Sequence, residues 1–250
     1  MYQFFAEPSQ IQGDRILIAG KDVNHIKNVL RMKPGEEISV RTGCDGREYR
    51  CGIEELKEDE IVCQLRFIKE EGLELLSKIY LFQGLPKGDK MELIVQKAVE
   101  LGVYEIIPVA SRRAVVKLDE KKAKTRVARW QGIAQAAAQQ SRRGIIPQVR
   151  EVMSFTRAVE YSARAGVRLF PYELAGEKGA DMAGTREIIS ALKPGEDLAV
   201  FIGPEGGFDA AEASLAVEEG LIPITLGRRI LRTETAGLAV LSILMYHLEQ

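Results

Sequence analysis

The period of the apolar positions changes near Gly72. Before it, short segments at 15–18 (Arg-Ile-Leu-Ile), 37–41 (Glu-Ile-Ser-Val-Arg) and 61–68 (Ile-Val-Cys-Gln-Leu-Arg-Phe-Ile) alternate partially and predict strands. Gly13, Gly20, Pro34-Gly35, Gly43 and Asp45-Gly46 punctuate them. The Asp-Gly pair predicts a turn between Val40 and Tyr49. One helical stretch, roughly Val23 to Met32, interrupts the strands. Residues 1–72 therefore read as a small β-barrel domain.

Beyond Gly72, strand-like and helix-like segments alternate. Residues 78–83 predict a strand, and 90–101 a helix with Met91, Ile94, Val95, Ala98 and Leu101 on one face, closed by Gly102. A strand at 104–108, a long helix at 120–140, a helix at 154–164 and a strand at 167–170 follow. The nearly continuous apolar run at 197–202 predicts a strand buried on both faces. Asp209-x-x-Glu212 has the spacing of a capping box and opens a helix that stops at Gly220. A last strand at 222–226 and a last helix at 233–249 complete an α/β pattern with a mainly parallel sheet over residues 73–250.

Composition adds exclusions. The chain has 250 residues, 46% hydrophobic and 28% charged, an ordinary globular balance. No apolar run approaches the ~18 residues of a membrane span. The first residues carry neither a basic leader nor a long apolar stretch. Cys44, Cys51 and Cys63 form no C-x-x-C pair, and His25 and His247 are the only histidines, so no metal site is expected. These features predict a soluble, cytoplasmic protein.

Thirty-five basic against 36 acidic residues leave a net charge of −1, which argues against nucleic acid until it is partitioned. Residues 1–108 carry −4, 109–150 carry +9, 151–225 carry −7 and 226–250 carry +1. The basic segment holds Arg112, Arg113, Lys117, Arg129, Arg142 and Arg143 among its eleven cations. Such a concentration suits phosphate binding. The same charges would equally serve as a solvated helix face paired with acidic groups of the same chain.

No Walker loop, G-x-G-x-x-G fingerprint or G-x-S-x-G elbow is present. Two segments stand out instead. Ile-Gly-Pro-Glu-Gly-Gly-Phe at 202–208 lies between the buried strand and the capped helix, where glycines let a ligand approach the backbone closely. Leu-Gly-Arg-Arg-Ile-Leu-Arg-Thr-Glu-Thr-Ala at 226–236 sets Arg232 and Glu234 beside Ile230 and Leu231. Apolar and backbone groups there could hold an adenine. A plain tight turn, a helix-dipole role for Glu234 and an Arg232–Glu234 salt bridge are the structural alternatives.

Together these two motifs resemble the RsmE family of 16S rRNA uridine-N3 methyltransferases, of the SPOUT class. Further agreement comes from His25-x-x-x-Val29-Leu-Arg-Met32-x-x-Gly35, Lys87-Gly-Asp-Lys-Met-Glu92, Gln96-Lys-Ala-Val-Glu-Leu-Gly-Val103 and Gln140-Ser-Arg-Arg143 with Ile146-Pro147. The resemblance spans nearly the whole chain in order. It implies a PUA-like RNA-binding β-barrel (1–72) and a SPOUT methyltransferase domain (73–250) with a trefoil knot. It also implies a homodimer acting on 16S rRNA or the 30S subunit, with no metal and no membrane.

Carried onto this chain, the resemblance implies that S-adenosylmethionine (SAM) is held by Pro171, Tyr172, Glu173, Ile202, Gly203, Gly206, Gly207, Leu226, Gly227, Ile230, Leu231 and Ala236. Arg232 would orient or stabilise the uracil, and Glu234 would take a polar or proton-handling role. RNA would lie over Arg31, Arg112, Arg113, Lys117, Arg129, Arg142 and Arg143. Two alternatives stay open: a SPOUT enzyme for ribose 2′-O or another base, and a non-catalytic RNA-binding assembly factor.

Overall fold

The computed structural model describes residues 1–70, 72, 74–172 and 181–249. It divides into two compact units, one of Met1–Glu74 with Ala138–Ile146, the other of Leu75–Ala137 with Pro147–Gln250.

In the first unit, β1 (Tyr2–Phe5), β2 (Ile11–Gln12), β3 (Arg15–Ala19), β4 (Glu37–Arg41), β5 (Glu48–Leu56) and β6 (Glu60–Lys69) make one sheet among the described residues. Its order is β1-β4-β5-β6-β3-β2, antiparallel except for the parallel β1–β4 pair. Alternate residues such as Ile16, Ile18, Ile38, Val40, Ile61 and Cys63 turn into one core with Phe4 and Ile26. The expected helix near Val23 is shorter and wider: α1 (Lys21–Asn24) passes into a π-helical turn over His25–Val29. Arg31 just after it takes the left-handed region at φ 54°.

The segment 138–146 belongs to this unit for a clear reason. Arg143 Nε lies 3.0 and 2.9 Å from the two Glu74 carboxylate oxygens, and Gly144 N–H donates to Glu74 at 2.7 Å. Gln3 donates to the Arg143 carbonyl at 3.0 Å.

The second unit follows the predicted alternation closely. Its elements are β7 (Ile79–Gly84), α2 (Lys90–Glu100), β8 (Glu105–Ala110), α3 (Glu120–Gln140), β9 (Gln148–Val149), β10 (Met153–Ser154), α4 (Phe155–Ser162) and β11 (Val167–Pro171). Then come α5 (Met182–Ala191), β12 (Leu198–Ile202), α6 (Ala210–Glu218), β13 (Ile222–Ile224) and α7 (Thr233–Leu248). The last turn of α3 falls in the first unit.

All strand pairs of this sheet are parallel, in the order β10-β8-β7-β12-β11-β13, with β9 also beside β8. The central strands β7 and β12 are buried along their whole length, as the continuous apolar run of β12 requires. Phe82 and Phe201 stack across them at 4.3 Å, and Phe155, Phe170 and Phe208 extend that aromatic core. α5, which the sequence reading does not assign, is capped by Asp181 Oδ1 accepting from Gly184 N–H at 2.7 Å.

Candidate active site

The carboxyl ends of β11, β12 and β13 open onto a cleft of about 440 Å³. Open parallel sheets bind ligands at such ends, and the volume lies in the range of small-molecule sites. The 202–208 loop forms one wall. Gly203 and Gly207 are forced there: a Cβ on Gly203 would lie 3.1 Å from Gly207 Cα, and Gly207 has φ +65°. Gly84, ending β7, is tighter still, since a Cβ would lie 2.6 Å from the Pro204 backbone nitrogen.

The loop ends at Asp209, whose carboxylate accepts from Glu212 N–H at 2.8 Å while Glu212 accepts from Asp209 N–H at 3.1 Å. The predicted capping box is therefore formed, and it starts α6. Glu212 also accepts from Arg112 N–H at 2.8 Å, tying the basic segment to α6.

The opposite wall is the 225–232 loop leading into α7. Thr233 Oγ1 donates to the Gly203 carbonyl at 2.5 Å and accepts from buried Gln83 Nε2 at 2.9 Å. This chain links three segments at one point. A second link is ionic: Lys90 Nζ lies 2.9 Å from Glu205 and 3.3 Å from Glu234. Glu205 accepts in addition from Lys87 N–H at 3.1 Å. Burial pushes the Glu205 carboxyl up, but the Lys90 ammonium and backbone N–H groups outweigh it and hold it below the usual range. The hydrogen bond to Glu205 in turn raises the Lys90 ammonium above the ordinary lysine range.

Of the residues expected to hold a cofactor, Pro171, Tyr172, Ile202, Gly203, Gly207, Leu226, Gly227, Ile230, Leu231 and Ala236 all line this cleft. Glu173 lies outside the described residues. Gly206 does not line the cleft; its carbonyl accepts from Arg113 at 3.2 Å, which leans that side chain over the loop. Ile230 is 81% exposed, an apolar side chain held open to solvent at the cleft.

Arg232 lines the cleft and has no ion-pair partner among the described residues, so the Arg232–Glu234 salt bridge does not form. Glu234, in the first turn of α7, does not line the cleft and faces Lys90 instead. Motif reading missed Lys90, Gln83 and Thr233 as site residues. Lys90 carried one signal, the Lys-Gly-Asp-Lys stretch at 87–90.

The basic residues separate into committed and uncommitted ones. Arg143 is a correction to the expected RNA surface: it is 6% exposed and its guanidinium is occupied by Glu74. A phosphate cannot reach it without breaking that pair. Arg112 pairs with Asp209 at 3.2 Å and Arg129 with Glu92 at 2.7 Å, both exposed. Arg31, Lys117 and Arg142 are exposed and have no ion pair among the described residues. Arg31 and Arg142 alone among the non-glycine described residues have positive φ. No described helix is long and apolar enough to cross a membrane, and the described residues contain no cluster able to hold a metal ion.

Fold, cleft and family model together define an RNA methyltransferase: residues 73–245 match the RNA methyltransferase domain, and residues 18–66 match the RNA methyltransferase PUA domain. More narrowly, the chain belongs to the ribosomal RNA small subunit methyltransferase E family. It is 38% identical to the Bacillus subtilis member over all of this chain and 98% of that protein. It is 32% identical to the Mesomycoplasma hyopneumoniae member over 97% of this chain and 98% of that protein. The Neisseria gonorrhoeae structure of a member bound to S-adenosyl methionine superposes with a TM-score of 0.84 at 30% identity, covering 98% of this chain and 97% of that one. A Legionella pneumophila methyltransferase with bound SAM gives 0.85, also at 30% identity, over the same shares of the two chains.

Proposed function

We propose that the chain transfers a methyl group from SAM to N3 of one uridine in the 16S rRNA of the small ribosomal subunit. The observation that carries this reading is the cleft, whose two walls are the two motifs that single out the family. The residues present fit the cofactor. Tyr172, Ile230 and Leu231 offer apolar surface for an adenine, and glycines at 203, 207 and 227 expose backbone groups for its polar edges. SAM, when bound, supplies a methyl group made electrophilic by the positive sulfonium.

The chain's own residues must align N3 with that methyl group and lower the cost of removing the N3 proton. Arg232, uncommitted at the cleft, orients the uracil. The N3–H bond breaks and its proton passes to solvent. The freed N3 electron pair forms the bond to the methyl carbon, and the carbon–sulfur pair stays on sulfur as a neutral thioether. A target base inside a helix has to be unstacked first.

RNA phosphates lie over Arg31 and Arg142 on the first unit and over Arg112, Arg113, Lys117 and Arg129 on the second. Replacing Lys117 and Arg142 together by alanine lowers the slope of log affinity against log salt by about 2 and weakens binding for any RNA sequence. An unchanged slope in filter binding across salt rules these contacts out. The reaction itself is tested by labelled methyl transfer to 30S particles and to naked 16S rRNA, followed by mapping. Nucleoside mass analysis that finds 2′-O-methyluridine instead of N3-methyluridine overturns the target assignment. We read the enzyme as cytoplasmic and as a homodimer; Ile243 and Tyr246 standing exposed on α7 support the homodimer. A monomeric mass in sedimentation equilibrium removes that part.

A further inference from the structure

Lysine carries three N–H donors, and at Lys90 two carboxylates, Glu205 of the 202–208 loop and Glu234 of the first turn of α7, take up two directions. Lys90 also lines the cleft, and its third donor has no carboxylate partner among the described residues. Glu234 Oε2, buried and without a hydrogen-bond partner of good geometry among the described residues, has the Lys90 charge as its compensation. A buried carboxylate oxygen is costly unless something offsets it. The arrangement spends two carboxylates on fixing one cation at the edge of the site. Arg113, another cation lining the cleft, is instead bonded to the Gly206 carbonyl.

We propose that Lys90 is the cation facing the uracil ring, where it stabilises the negative charge that spreads over O2 and O4 as N3 loses its proton. Glu205 and Glu234 are positioning residues that hold it there. The role rests on the uridine-N3 reading above. An ordinary lysine is charged at neutral pH and the hydrogen bond to Glu205 raises this one further, so Lys90 acts as an electrostatic group and not as the base. A fixed positive charge of this kind assists the transition state more than the ground state, because the uracil is neutral until the proton leaves.

The test compares the intact chain with Lys90→Met and Lys90→Arg on two small-subunit RNAs, one with uridine and one with 5-fluorouridine at the target. Fluorine acidifies the N3–H, so it supplies part of what the ammonium provides. Lys90→Met lowers kcat on uridine RNA by about 10²-fold, the usual effect of removing one such stabilising group. Its KM for SAM stays within about threefold. The fluorinated RNA recovers most of the lost kcat in Lys90→Met and changes the intact chain far less, while Lys90→Arg lies between the two. An equal loss on both RNAs, or a loss confined to the KM for SAM, overturns the proposal. If thermal melting shows Lys90→Met unfolded, Lys90→Arg on the two RNAs decides by the same comparison. An intact chain that makes no N3-methyluridine from either RNA removes the function reading and this role with it. Transfer without selective rescue removes the Lys90 role alone.

Discussion

The 202–208 and 226–232 loops each follow a strand of one parallel sheet, and each lines the same cleft, but their internal bonding differs. In the first, Gly207 N–H donates to the Pro204 carbonyl at 2.8 Å, Glu205 is held by Lys87 and Lys90, and Gly206 accepts from Arg113. Phe208 anchors its end in the aromatic core. In the second, Thr225 and Gly227 exchange two weak bonds at 3.3 Å, and Arg228, Arg229 and Ile230 stand exposed. One wall is built before any ligand arrives. The other keeps apolar and cationic side chains in water, where a ligand would cover them. The cost of ordering thus falls on one side of the cleft, and the other side sets position.

The comparison breaks most readily at Gly84. A methyl group placed there meets the Pro204 backbone, so the 202–208 wall has to move. Gly84→Ala is expected to destabilise the protein by about 2–3 kcal/mol through overpacking and to abolish measurable SAM binding. Denaturant unfolding and calorimetric titration check both, and a variant with normal SAM affinity shows that the wall is not preset.

Arg232→Ala touches the other wall. With no ion pair to lose, it leaves the melting temperature within about 2 °C and lowers methyl transfer by about 10²-fold. A large drop in melting temperature instead assigns Arg232 a structural part.

Hydrogen exchange sharpens the contrast further. Saturating SAM should slow exchange strongly across 226–232 and weakly across 202–208. Equal protection of the two loops removes the distinction.

The smallest effect is a pH dependence at Glu205. Its carboxyl is held below its ordinary range in the fold, so its stabilisation is complete above the unfolded carboxylate value and is lost as pH falls through the lower, folded one. Lys90 is raised, so its share is complete below the ordinary lysine value and is lost as pH climbs through the raised one. The melting-temperature gap between the intact chain and Glu205→Gln should therefore be widest at neutral pH and shrink toward both extremes. A gap independent of pH means the ion pair stabilises nothing.

Much of this architecture is legible in the order of residues because its causes are local. The Asp209–Glu212 box, the continuous apolar run of β12 and the glycines after it each act within a few positions. β1 and α5 escaped that reading for different reasons. Tyr2–Phe5 becomes a strand through parallel pairing with Glu37–Arg41, far along the chain, and Met182–Ala191 contains Gly184 and fully buries only Thr185. Arg142 and Arg143 are indistinguishable as neighbouring charges. Only the position of Glu74 buries one and leaves the other exposed.

The sequence alone determined which two segments form the walls of the site, since glycine spacing, a capping box and buried-strand patterning need no distant partner. Tertiary structure decided what connects the walls. Setting β7 beside β12 brings Gln83 to Thr233 across 150 positions and places Lys90 between Glu205 and Glu234. A lone lysine in a neutral chain carries no sign of its partners, because charge pairing depends on distance in space, which the sheet order sets.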